Sequence, residues 1–131
     1  MINVRKIAIV LTTRGNYAKM RSVLDFISND QRLELQLVVG KNLKTSRYGN
    51  YVKEIIKDGF QIKAIVDYLE DGDSLKSMTH SAGTLTSKLS RIFEDLKPDI
   101  VMVIADRYEA LSVDHAATCM NCFIAHLEGG E

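Results

Sequence analysis

Five short runs of apolar and β-branched residues, each separated from the next by a stretch with a helical repeat, leave this 131-residue chain few folds to choose from. Val4–Leu11 reads VRKIAIVL, Leu33–Val39 LELQLVV, Phe60–Val66 FQIKAIV and Asp99–Ile104 DIVMVI, and Phe123–Ala125 closes the series. Runs of this length and composition read as strands. Between them the period changes to 3.6. Met20, Val23, Leu24 and Ile27 share one face of Ala18–Ser28, and Tyr51, Val52, Ile55 and Ile56 do so in Tyr48–Lys57. Leu85, Leu89, Ile92, Phe93 and Leu96 line the longest helix, Ser74–Leu96, which Lys97-Pro98 stops because the residue before a proline is biased out of the helical region. Tyr108–Met120 is the last helix. The first and fourth strands are nearly continuous apolar runs, as needed where helices cover both faces of a parallel sheet. The expected fold is therefore α/β, a doubly wound parallel sheet. One domain over residues 1–131 accounts for the chain, which contains no Pro-, Gly- or Ser-rich linker, internal repeat or low-complexity segment.

Composition narrows the function classes. The chain has 46% apolar and 26% charged residues, with 17 basic and 17 acidic side chains. It lacks the basic balance of a nucleic-acid binder or a membrane-surface protein. No apolar run approaches the roughly 20 residues that span a bilayer, and nothing near Met1 resembles a secretory signal, so the expected location is the cytoplasm. The even balance conceals a division: residues 1–65 hold 12 basic and 5 acidic side chains, and residues 66–131 hold the reverse. Cys119 and Cys122 form a single C-x-x-C without a second pair, which favours two small buried thiols over a zinc or redox site.

In a doubly wound sheet, ligands bind outside the carboxyl ends of the strands. After the first strand, Thr12-Thr13-Arg14-Gly15-Asn16-Tyr17 opens a helix, where backbone N–H groups and a guanidinium suit a phosphate. It is not a dinucleotide fingerprint. Gly40-Lys41-Asn42 follows the second strand, and Arg47-Tyr48-Gly49-Asn50 lies shortly beyond. Glu70-Asp71-Gly72-Asp73-Ser74 follows the third strand and suits a helix cap better than a metal site. The fourth strand ends in Ala105-Asp106-Arg107-Tyr108-Glu109. Asp106 is placed there for acid–base work or for capping the next helix, with Arg107 beside it to hold it ionised or to contact an anion. The fifth ends in His126-Leu127-Glu128-Gly129-Gly130-Glu131, a density of charge that is costly to bury without purpose. Alternation sets His126 and Glu128 on one side of an extended segment, within reach of Asp106. His80 and His115 read as helix-surface or packing residues.

Thr13-Arg14-x-x-Tyr17, Tyr48-Gly49-Asn50, Leu96-Lys97-Pro98-Asp99-Ile100, Asp106-Arg107-Tyr108-Glu109-Ala110 and His126-Leu127-Glu128-Gly129-Gly130-Glu131 together resemble, in order and spacing, the amino-terminal domain of UDP-N-acetylglucosamine 2-epimerases. The hydrolysing branch is the closer one. The resemblance implies a glycosyltransferase-B-like architecture of two Rossmann-like halves, the second of which, holding much of the nucleotide site, is not among these 131 residues. It implies elimination of UDP from UDP-N-acetylglucosamine, then addition of water with inversion at C2, giving N-acetylmannosamine for sialic or related nonulosonic acids. Asp106 and Glu128 match the proton-transfer positions. Arg14 and Arg107 match positions near the diphosphate or the catalytic carboxylate, and Glu131 and His126 supplement the site. No cofactor or metal is implied, and a homodimer is the family expectation. Three positions depart from the family pattern: Ala105 stands for Gly, Asn16 for an acidic residue and Asn42 for His. A glycosyltransferase of the same architecture and a non-catalytic α/β binding module are the competing readings.

Overall fold

The alternating pattern resolves into five strands and four helices in a computed structural model that describes residues 3–40 and 51–130. They run β1 (Arg5–Leu11), α1 (Arg14–Asn29), β2 (Leu33–Gly40), α2 (Tyr51–Lys57), β3 (Ile62–Val66), α3 (Leu75–Leu96), β4 (Ile100–Ile104), α4 (Tyr108–Cys119) and β5 (Phe123–Leu127). All strand pairings are parallel and the order is β3-β2-β1-β4-β5. Ile9 of β1 lies in register with Leu37 of β2 and Met102 of β4.

The chain winds outward from β1 to β3, then returns to lay β4 on the other side of β1. Because parallel crossovers are right-handed, that reversal moves the later helices to the opposite face. Ile7, Ile9, Leu11, Leu37 and Val39 pack under Met20, Leu24, Ile27 and Ile55 of α1 and α2. Ala8, Val10, Val38, Val101 and Val103 pack under Leu85, Leu89, Phe93, Val113 and Ala117 of α3 and α4. Fully burying each of the larger side chains contributes roughly 1.5–3 kcal/mol. α1 and α2 come from the basic half of the sequence and α3 and α4 from the acidic half, although α3 itself is not acidic, with Lys76, Lys88 and Arg91 against Glu94 and Asp95.

Most boundaries fall within one or two residues of the periodicity, and the larger shifts have local causes. α1 begins four residues before the expected start, because the Thr13 hydroxyl accepts the Asn16 N–H at 3.1 Å and caps the first turn. Ser74 does the same for α3, accepting from Ser77 N–H at 3.0 Å. β5 continues two residues beyond Ala125, so His126 and Leu127 pair with Val103 and Ile104. Lys97 closes α3 in the left-handed region at φ 48°, its N–H donating to Phe93 O, and Pro98 follows where the helix cannot continue. The expected helical residues Tyr48, Gly49 and Asn50 lie outside the described residues. The two cysteines are unpaired, but Cys119 is exposed and Cys122 half-buried, which corrects the expectation of two buried thiols. Both sit at or after the last turn of α4, before its chain re-enters the sheet. No helix among the described residues is long and apolar enough to cross a membrane.

Candidate active site

The order in which strands are added reverses between β1 and β4, so the turns following these parallel strands flank the crevice where doubly wound folds bind ligands. Ala105 ends β4 in the left-handed region, at φ 66°, and its N–H donates to Leu127 O at 2.9 Å. This bend carries Asp106 off the strand. Its Oδ2 accepts the Gly130 N–H at 3.0 Å, and its Oδ1 lies 3.6 Å from His126 Nε2. His126 Nε2 is also 2.9 Å from Ala105 O, and because a carbonyl only accepts, this nitrogen carries the proton. On the other edge of the ring, Nδ1 lies 3.7 Å from Asp114 Oδ2 in α4. Burial pushes the Asp114 carboxyl up from its ordinary value, against the opposing pull of His126. Asp106 is half exposed and open to a ligand.

Both glycines of the last motif have a physical reason. A Cβ on Gly129 would stand 2.8 Å from His126 Nε2, and Gly130 adopts φ 76° to turn its N–H onto Asp106. Asp106 is not the helix cap. Arg107 occupies that position in α4 and makes no side-chain cap bond, while the Asp106 carboxylate faces Gly130.

Glu128 corrects the alternation argument. It takes φ 55°, which ends the extended period, and its Oε2 pairs with Lys19 Nζ of α1 at 2.8 Å. His126 therefore meets α4 and Glu128 meets α1, although two residues apart. Arg107 likewise does not pair with Asp106. Its Nε and Nη2 donate to Glu109 Oε2 and Oε1 at 3.1 and 3.2 Å. Glu109 is 2% exposed and also accepts from the Tyr68 hydroxyl at 3.1 Å. Its hydrogen bonds push the Arg107 pKa further up, and burial together with the Glu109 charge raises that of Tyr68.

Arg14 leans onto α2, with Nε 3.3 Å from Glu54 Oε2, beside a cavity of about 540 Å³ lined also by Tyr17 and Arg21. Asn16 is buried, its Oδ1 accepting from the Thr12 hydroxyl at 3.1 Å. Glu131 and residues 41–50, including Asn42 and Arg47, lie outside the described residues. His80 sits on the helix surface beside Glu70, and His115 is exposed.

The family model for UDP-N-acetylglucosamine 2-epimerase matches residues 25–131. This chain belongs to the UDP-N-acetylglucosamine 2-epimerase family. A GDP/UDP-N,N'-diacetylbacillosamine 2-epimerase (hydrolyzing) of Campylobacter jejuni is 38% identical over 97% of this chain and 33% of its own length. A UDP-N,N'-diacetylbacillosamine 2-epimerase (hydrolyzing) of Legionella pneumophila is 34% identical over 98% of this chain and 34% of its own. The crystal structure of a UDP-GlcNAc 2-epimerase from Neisseria meningitidis bound to UDP-GlcNAc superposes with a TM-score of 0.79 at 19% identity, covering 96% of this chain and 32% of that one. The epimerase-family chain thus has the Rossmann-like fold expected, and spans about a third of the length of these relatives.

Two residues of this epimerase-family chain escaped the sequence reading. Glu109 stood in a matched motif without a role, since an acidic residue in a first helical turn ordinarily answers the helix dipole in solvent. Tyr68 belonged to no motif, in the segment between β3 and α3. Its ring packs where a Gly40 Cβ would come within 2.8 Å of Cε1, so the glycine after β2 makes room for it. Among the described residues, no group of three or more His, Cys, Asp or Glu is placed to hold a metal.

Proposed function

We propose that this chain is the front, Rossmann-like domain of a hydrolysing UDP-2-acetamido-sugar 2-epimerase, with the nucleotide held against a second domain. The observation that carries this reading is the convergence of Asp106, His126 and the Gly129-Gly130 turn at the carboxyl ends of adjacent strands. In the proposed reaction a carboxylate removes the C2 proton, and the C1–O bond breaks with its electron pair leaving on UDP. The resulting C1=C2 double bond then gains hydroxide at C1 and a proton at C2 from the opposite face, so water is consumed and C2 is inverted. Inversion calls for proton handlers on two sides. Asp106, held from the β5 turn, and Glu128, held from α1, supply two carboxylates with separate supports. His126 and Glu131 supplement them, while Arg107 and Arg14 are assigned to the diphosphate. For Arg14 this requires release from Glu54, a half-exposed pair worth little to stability.

UDP-N-acetylglucosamine is the proposed substrate, with N-acetylmannosamine as product. The names of the Campylobacter and Legionella relatives favour a second reading, in which the sugar is N,N'-diacetylbacillosamine. The test joins this chain to a second domain and measures UDP release from each UDP-sugar without an acceptor. Asp106→Asn and Glu128→Gln are each expected to slow release by about 10²–10⁴-fold, the usual size of a general acid–base contribution. Full activity in both variants rejects these roles, and a need for an acceptor points to a glycosyltransferase.

A further inference from the structure

Glu109 is a carboxylate with almost no solvent contact, in a position where the helix dipole alone would not require burial. Such a group is retained only if its oxygens are paired and hydrogen-bonded. Both are: Oε2 accepts from Arg107 Nε, and Oε1 accepts from Arg107 Nη2 and from the Tyr68 hydroxyl. Tyr68 is itself 3% exposed and seated over Gly40. The end of β2, the segment after β3 and the first turn of α4 therefore converge on one carboxylate.

We propose that Glu109 is the positioning residue for Arg107, gripping the inner edge of its guanidinium so that the outer edge stands as a fixed donor for a phosphate oxygen of the nucleotide sugar. The inference rests on the function proposed above. A guanidinium has five N–H donors, and Glu109 takes one from Nε and one from Nη2. Three remain, both on Nη1 and the second on Nη2. The Arg107 side chain is 59% exposed, so without the grip it would sample many rotamers and lose that freedom on binding. Glu109 removes this cost before the ligand arrives, as preorganisation does generally. The pairing sacrifices some Coulombic attraction and gains direction, which suits bidentate recognition of phosphate.

Two measurements test it. In a ¹⁵N-labelled sample of this chain, the Arg107 Nε–H is expected to exchange slowly, and in Glu109→Gln to exchange at least about tenfold faster, as befits loss of a charge-assisted bond. In the two-domain enzyme, Glu109→Gln is expected to raise KM for the UDP-sugar about tenfold with kcat within about twofold, because it acts on binding. Combining it with Arg107→Lys should add little, since both variants disable one device. Tyr68→Phe keeps the ring and loses one bond; it carries the test if Glu109→Gln does not fold, with a severalfold effect on both readouts. Unchanged Nε–H exchange overturns the proposal, as does a fall in kcat with constant KM, or fully additive effects. An enzyme that releases no UDP while its Arg107 signal responds as stated removes the functional reading and leaves the grip standing.

Discussion

Ala105 bends β4 toward Asp106 at a conformation that disfavours any side chain with a Cβ. The left-handed region costs a non-glycine residue about 1–2 kcal/mol. Glycine escapes that strain but loses about 0.5–1 kcal/mol more through the entropy of the unfolded chain. Ala105→Gly is therefore expected to stabilise the protein by up to about 1 kcal/mol, measured by urea unfolding. A loss of stability would mean that the methyl group packs better than the strain costs. Asp114 gives a pH-dependent counterpart. Burial raises its carboxyl in the folded state, so ionising it opposes folding. Below the unfolded value of about 3.9 both states hold the proton and the opposition vanishes; above the raised native value it acts in full. Asp114→Asn should accordingly raise Tm at pH 7, with the gain fading as pH falls through the raised native value towards about 4 and gone below it. Scanning calorimetry across that range checks the sign, and a gain constant with pH would exclude the electrostatic cause.

Helix ends decide how the elements meet the crevice. α3 is 22 residues long and begins with a clean side-chain cap from Ser74. Ser74→Ala should cost about 1 kcal/mol in urea unfolding, while Ser74→Asn should recover most of it. α4 is different: Arg107 provides no side-chain cap, and the first-turn carboxylate of Glu109 is turned to Arg107 and Tyr68. One helix start is closed by its own side chain, and the other turns its carboxylate to a guanidinium and a phenol instead. At the far side of the site, β5 is an edge strand whose left-handed Glu128 and Gly130 re-aim its last residues towards two different neighbours. Local strain of this kind gathers where function needs side chains in fixed places.

At the scale of the molecule, helices from the two halves of the sequence form the two layers around one sheet. Most of the acidic excess of the second half lies in the segments between elements, and the candidate site sits at the carboxyl ends of β4 and β5. The chain spans about a third of the length of its relatives, and the proposed function puts the nucleotide between this layer and a second domain. The 131-residue chain alone should therefore release UDP from UDP-N-acetylglucosamine no faster than buffer, measured by coupled UDP detection; turnover by this chain would refute the two-domain requirement. Strands, helices and the parallel sheet were legible in the sequence because hydrophobic period is a local property, fixed by the geometry of each backbone segment. So were Asp106 and the His126–Gly130 segment, since strand ends are predictable and their motifs are dense in charge and glycine. The partners were not. The sequence shows Arg107 beside Asp106, yet the guanidinium turns to Glu109; it shows His126 two residues from Glu128, yet one meets Asp114 and the other Lys19. Composition thus determined which side chains the edge of the sheet would carry. Only the tertiary structure decided their pairing, because burial of Glu109 depends on Tyr68 and Gly40 arriving from other strands, and because one positive φ cancels an alternation that adjacent residues alone would predict.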